Sequence, residues 1–223
     1  MISENQTKLA FIILIGGQST RFGTEKPIIE LFGKPLILHQ LEVLSKFDQE
    51  IFLVAHSEEQ IFKYRKQIDF PKGITFFVDD RAIFSHANIH KPMLGIYSGF
   101  KELLKLNYEN AFLLSCDMPL IKIKIIELMI KESQGFECCI PRWNNGFLEY
   151  LFAIYPVEKG YRRAKEILIN EKYGLINFVD SKWNIHYLSV ERFIQPLDKS
   201  LTSFININGP IDLLKIAKMY EKN

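Results

Sequence analysis

The segment that most restricts the fold lies near the start of the chain. Lys8 to Ile15 is a nearly unbroken apolar, β-branched run, and it leads directly into Gly16-Gly17-Gln18-Ser19-Thr20-Arg21-Phe22-Gly23-Thr24-Glu25-Lys26. Such a run without polar alternation reads as a buried strand, of the kind that is covered on both faces in a parallel sheet. Its apolar part, Leu9 to Ile15, is seven residues long, against the ~20 needed to cross a bilayer. No membrane span is expected from it. The stretch ahead of it carries Glu4 and Lys8, and a glycine loop rather than a small-residue cleavage site follows. That pattern argues against a secretory signal and makes the cytoplasm the expected location.

Further along, short β-branched runs alternate with segments of helical period. Leu36, Ile37, Leu41, Val43, Leu44 and Phe47 fall on one face of a helix that starts near Pro35. Strands are expected at 50–55, 74–78 and 111–115, and helices at 58–67, 93–106 and 121–131. This rhythm predicts an α/β fold with a single doubly wound, mostly parallel sheet, connected by right-handed crossovers. After about Gly135 the rhythm loosens: 137–140, 150–155 and 184–188 read as strands without regular crossovers, and a final helix begins near Gly209 and Pro210. The C-terminal third is therefore expected to elaborate one domain. No repeat or linker-like tract marks a boundary.

Composition closes off other classes. Of 223 residues 48% are hydrophobic and 24% charged, and 28 basic against 26 acidic side chains leave a formal charge of only +2. A chain so apolar is not disordered, and so balanced a charge offers no general attraction for nucleic acid or an anionic membrane. The three cysteines, Cys116, Cys138 and Cys139, are read as reduced and buried. His39, His56, His86, His90 and His186 show no metal-ligand spacing, and Lys159, Arg162, Arg163 and Lys165 read as a solvated helix face.

The glycine loop has the chemistry of a phosphate cradle. Paired glycines let backbone N–H groups approach anionic oxygens, Ser19 and Thr20 add hydroxyls, and Arg21 and Lys26 offset polyphosphate charge. The spacing is neither the dinucleotide fingerprint nor the Walker pattern, which disfavours a dehydrogenase or a P-loop ATPase.

Leu14-Ile15-Gly16-Gly17-x-Ser19-x-Arg21-Phe22-Gly23-x-x-Lys26, continuing into Leu31-x-Gly33-Lys34-Pro35-Leu36, resembles the signature loop of the molybdenum cofactor guanylyltransferase (MobA-like NTP transferase) family. Three further segments match in order. Val78-Asp79-Asp80 resembles the family's acidic nucleotide contact, with Asp80 at the matching position. Ser115-Cys116-Asp117-Met118-Pro119 resembles the element whose aspartate binds Mg²⁺, here Asp117. Phe204 to Leu213 resembles the closing N-x-N segment, with Asn206 and Asn208 as its asparagines. The segment Gly146 to Tyr155 also matches, so the resemblance runs from about residue 10 to 215. Three positions depart from the usual pattern: Lys91 stands where a glycine is common, Tyr150 for proline and Gly209 for threonine.

The resemblance implies a single nucleotidyltransferase domain, with residues 8–134 binding NTP and 135–223 binding the acceptor. It implies that Leu14, Ile15, Gly16, Gly17, Ser19, Arg21, Lys26, Asp80 and Asp117 hold the nucleotide, that Arg21, Lys26 and Asp117 carry catalysis with Mg²⁺ on Asp117, and that Asn206 and Asn208 face the acceptor. The implied reaction joins GMP from GTP to the phosphate of molybdopterin, making the guanine dinucleotide cofactor that molybdoenzymes receive. Acceptor and base are set by residues outside these motifs. Guanylyl or cytidylyl transfer to another phosphorylated acceptor, such as adenosylcobinamide phosphate, and a non-catalytic nucleotide-binding adaptor therefore remain open alternatives.

Overall fold

The computed structural model describes residues 8–16, 25–82 and 92–220. The first strand, β1 (Leu9–Leu14), lies inside the sheet, and its residues divide between two cores. Phe11, Ile13 and Ile15 face one apolar cluster, whereas Ala10, Ile12 and Leu14 face another. Side chains alternate across a strand, so burial of both faces produces the continuous apolar run seen in the sequence.

A two-residue hairpin follows, β2 (Glu30–Leu31) and β3 (Lys34–Pro35), turning through Phe32 and Gly33, both at positive φ. The remaining strands are β4 (Ile51–Ala55), β5 (Thr75–Val78), β6 (Asn110–Ser115), β7 (Cys138–Arg142), β8 (Phe152–Pro156) and β9 (Ile185–Ser189). Seven of them form one sheet in the order β5-β4-β1-β6-β8-β7-β9. β5, β4, β1 and β6 run parallel; β8 is antiparallel to both β6 and β7, and β9 is parallel to β7. The doubly wound, mainly parallel sheet with an elaborated C-terminal third is thus the observed architecture.

Helices cover both faces. α1 (Leu36–Leu44), α2 (Glu58–Gln67) and α4 (Ile123–Glu132) pack on the face of Phe11 and Ile13, while α3 (Pro92–Lys105) and α5 (Val157–Ile169) pack on the other. α6 (Pro210–Tyr220) contributes Ile216 to a smaller third cluster with Ile29, Leu31, Leu36 and Ile207. Truncating a fully buried residue such as Ile13 to alanine costs about 2–5 kcal/mol in a core of this kind.

Several element boundaries shift from the sequence expectation for local reasons. α4 begins at Ile123 rather than Ile121 because Lys122 is extended. β8 begins at Phe152 rather than Tyr150 because the Phe152 N–H closes a turn on the Glu149 carbonyl at 3.1 Å. The basic segment is the outer part of α5: Lys159 pairs with Glu137, Arg162 with Glu158, and Arg163 with Glu166. All three cysteines are buried, and burial pushes the Cys116 and Cys139 thiols up to about 12.

Candidate active site

The carboxyl ends of β1, β4, β5 and β6 open on one crevice, the place where an open α/β sheet binds ligands. At its centre the Lys26 ammonium donates to Asp117 Oδ2 at 2.7 Å and to Asn208 Oδ1 at 2.8 Å. Three residues far apart in sequence therefore meet at one nitrogen. The other Asp117 oxygen, Oδ1, is buried and has no hydrogen-bond partner among the described residues.

Local backbone bonds place each of them. Lys26 opens a short 3-10 turn, Lys26–Ile28, with Pro27 at its first positions. Asp117 lies two residues beyond β6, and its carbonyl accepts the Ile207 N–H at 2.8 Å, which brings the C-terminal segment over the crevice. Asn208 is not the cap of α6. Asp212 in the first turn reaches back to the N–H groups of Asn208 and Gly209 at 2.9 and 3.0 Å, leaving the Asn208 side chain for Lys26. Asn206 instead donates to the Phe204 carbonyl at 3.3 Å.

A second anchor lies deeper. Asp198 is fully buried and accepts from Lys122 Nζ at 2.7 Å, from the Ser203 N–H at 2.8 Å and from the Thr202 hydroxyl. Burial works to raise its pKa, but Lys122 and Ser203 together hold the carboxyl below the ordinary range. Lys122 directly follows the Asp117 loop, so the pair ties that loop to the segment leading to Asn208.

At the β4 and β5 end the two adjacent aspartates part company. Asp80 pairs with Lys101 on α3, accepts the Ala82 N–H at 3.1 Å, and donates its own N–H to Ser98 Oγ at 2.8 Å. Asp79 is the more buried of the two, with Oδ2 3.4 Å from His56 Nδ1. Burial pushes the Asp79 carboxyl up to about 6, against a lowering by Arg81. His56 is fixed from α2: Ser57 Oγ accepts the Gln60 N–H at 3.3 Å, and Gln60 Oε1 accepts the His56 N–H at 2.7 Å. Two glycines at this end leave little space for a side chain. A Cβ on Gly16 would come 3.3 Å from the His56 nitrogen, and one on Gly95 would come 3.2 Å from Leu14 Cδ2 and 3.7 Å from Asp79 Oδ1.

The side chains of Leu14 and Ile15 are buried in opposite cores, and their carbonyls accept the Cys116 N–H at 3.2 Å and the Tyr64 hydroxyl at 3.3 Å. What they expose to the crevice is the way into Gly16, which is exposed. Gly17, Ser19 and Arg21, and the departure at Lys91, lie outside the described residues. The structure brings in groups that the sequence reading did not single out, among them His56, Asp79 and Glu149. Glu149 is buried and accepts the Trp143 indole N–H at 2.7 Å; burial raises its pKa, Trp143 opposes this, and the charge of Asp117 adds to the rise. Trp143 in turn packs edge-on against Phe204, the residue that starts the closing segment.

The chain as a whole has known counterparts. The profile of the MobA-like NTP transferase domain matches residues 11–180. The chain belongs to the MobA-like NTP transferases. Within curated proteins, a probable molybdenum cofactor guanylyltransferase of Thermococcus gammatolerans is 33% identical over 92% of this chain and 97% of that protein. One of the same description from Pyrococcus horikoshii is 32% identical over 92% and 97%. Among solved structures, molybdopterin-guanine dinucleotide biosynthesis protein A from Archaeoglobus fulgidus superposes with a TM-score of 0.75 at 25% identity, covering 96% of this chain and all of that one. The match to this MobA-like neighbour takes in both halves of the sheet. Among the described residues, no helix is long and apolar enough to cross a membrane.

Proposed function

We propose that the chain transfers GMP from GTP to the terminal phosphate of molybdopterin and releases pyrophosphate. The observation that carries this reading is the meeting of Lys26, Asp117 and Asn208 at the mouth of the parallel sheet, in a chain related along most of its length to guanylyltransferases of the molybdenum cofactor.

The chemistry asks little of a base. A phosphate monoester has a second pKa of about 6, so the attacking oxygen is already anionic at neutral pH. The obstacle is the approach of one anion to another, which calls for cations and for alignment of nucleophile, phosphorus and leaving group. In this reading Lys26 follows charge from the triphosphate onto the departing pyrophosphate, and Arg21 of the glycine loop sequence is a second cation for the same task. The nucleoside end is read as lying near Gly16, beside His56 and Asp79. The acceptor is read as lying toward the start of β8, where Glu149 feels the charge of Asp117 and accepts the Trp143 indole N–H.

Asp117 fits a divalent cation of the hard, oxygen-seeking kind, because its buried Oδ1 is without a partner among the described residues. Mg²⁺ keeps several waters and takes one or two carboxylates, so Asp117 would hold it with Asn208 Oδ1 close by. When bound it supplies charge neutralisation to phosphate oxygens. Asn208 hands Lys26 its second acceptor and so orients the ammonium; Asn206 stiffens the approach through its bond to Phe204. A cytoplasmic enzyme delivering its product to molybdoenzymes is the setting that agrees with this reading.

The test is pyrophosphate release measured with each of the four NTPs, with and without Mg²⁺, against molybdopterin and other phosphorylated acceptors. Release with GTP and molybdopterin together, dependent on Mg²⁺, is expected. Turnover with CTP alone, or only with a different acceptor, would replace the substrate assignment, and GTP binding without turnover on any acceptor would make the chain an adaptor.

A further inference from the structure

The loop that presents Asp117 is held from beneath by a side chain that no step of the reaction touches. Gln40, on α1, is fully buried. Its Nε2 donates to the carbonyls of Ser115 and Met118, both at 2.8 Å. These carbonyls flank Asp117, whose own carbonyl is taken by the Ile207 N–H at 2.8 Å. The turn from 115 to 118 is thus gripped at three of its four carbonyls, two of them by one amide.

Gln40 is costly where it stands. Its neighbours on the buried face of α1, Leu36, Ile37, Leu41 and Leu44, are all apolar, and its Oε1 is buried with no hydrogen-bond partner among the described residues. An orphaned buried amide oxygen weakens the fold, so packing alone favours an apolar residue at this position. The amide orientation is not interchangeable, because the flipped form would set an oxygen against two carbonyl oxygens.

We propose that Gln40 is a positioning residue for Asp117, fixing the turn so that the carboxylate keeps Oδ2 on Lys26 and Oδ1 free for a divalent cation. The inference rests on the reading of Asp117 as the cation-holding carboxylate of a nucleotidyltransferase. Partners that orient a metal-holding group typically change metal affinity by about 10- to 100-fold when removed.

The experiment measures binding of a fluorescent GTP analogue to the full chain in EDTA and in Mg²⁺, alongside the thermal midpoint. Gln40→Met keeps side-chain length and removes both donors together with the orphaned oxygen. Its midpoint is expected within about 5 °C of wild type. Affinity in EDTA should stay within about twofold, whereas the strengthening given by Mg²⁺ should fall about tenfold. In an Asp117→Asn background the same change should have no further effect on the Mg²⁺ dependence. Gln40→Asn, which withdraws the amide by one carbon, is the second variant should Gln40→Met fail to fold, and the same pattern is expected of it. An unchanged Mg²⁺ dependence, or parallel losses in EDTA and Mg²⁺ that track a fallen midpoint, would overturn the positioning role. Wild-type binding that is indifferent to Mg²⁺ would instead remove the cation reading of Asp117, and the proposal with it.

Discussion

The two halves of the sheet deliver residues to the crevice in different ways. In the parallel half, Gly16, His56, Asp79 and Asp117 each follow the last residue of β1, β4, β5 and β6 by one or two positions. The sheet itself aims them, because parallel strands end on the same side. In the C-terminal half β8 runs the other way. Glu149 therefore enters ahead of its strand, and Asn208 arrives on an irregular segment anchored by Phe204 and Ile207 and by polar ties: the Ile207 N–H on Asp117, and Asp198 on Lys122, Thr202 and Ser203. A strand end inside the sheet is fixed by ladder hydrogen bonds on both sides, whereas the irregular segment relies on a few buried side chains and polar ties.

That contrast can be broken by substitution. The largest effect is expected from Asp117→Ala, which removes the carboxylate but no core contact: kcat should fall at least about a thousandfold, ~4 kcal/mol, with an unchanged circular dichroism spectrum. Full activity in this variant would remove Asp117 from the chemistry. Asp198→Ala should act on stability first. Lys122 is partly exposed and returns to water, but the buried Ser203 N–H and Thr202 hydroxyl lose their acceptor, so urea unfolding should show a loss of about 2–4 kcal/mol. A neutral result would mean that the C-terminal segment does not depend on this tie. Lys26→Ala, which cuts the polar link from Asp117 to Asn208, should lower kcat/KM for GTP by about 10²–10³, and unchanged turnover of GTP would contradict its role.

The smallest effect tests a strand end. Burial raises the Asp79 carboxyl from 3.8 to about 6. The folded state then binds more protons than the unfolded state between those values, so this group lowers stability progressively as pH rises from about 4 to 6 and fully above that. Asp79→Asn should therefore be more stable than wild type by about 1–3 kcal/mol at pH 8, and no more stable near pH 3.5. Equal stability at both pH values would show that Asp79 is better solvated than its burial implies.

The sequence was most legible where a pattern had one physical cause. Both faces of β1 are buried, so its apolar run could mean little else, and the helical period over Glu58–Gln67 coincides with a Ser57 cap, an acidic first turn and a basic last one. The hairpin at Glu30–Leu31 and Lys34–Pro35 is too short to carry a period, and the π-helical turn at Val190–Ile194 has no sequence pattern of its own. In the site, Lys26, Asp117 and Asn208 could be picked out because each sits in a recognisable motif. The motif at 78–80 marked an acidic contact, but which of two adjacent aspartates turns inward depends on Ser98 and Lys101, eighteen and twenty-one residues from Asp80. Gln40 and Asp198 were invisible for a related reason. A glutamine on a helix and an aspartate in a loop read as surface residues until the chain brings carbonyls, N–H groups and an ammonium to them.

Lys26 finds its two partners 91 and 182 residues further on. In the order of synthesis, at about 5–20 residues per second, that places roughly 10–40 s between the appearance of the lysine and that of Asn208. Throughout that interval the growing chain can assemble β1, β4, β5 and β6 while the crevice still lacks its last polar group. The competent site is thus among the last things the chain completes, since a product interrupted before Asn208 lacks the second acceptor of Lys26.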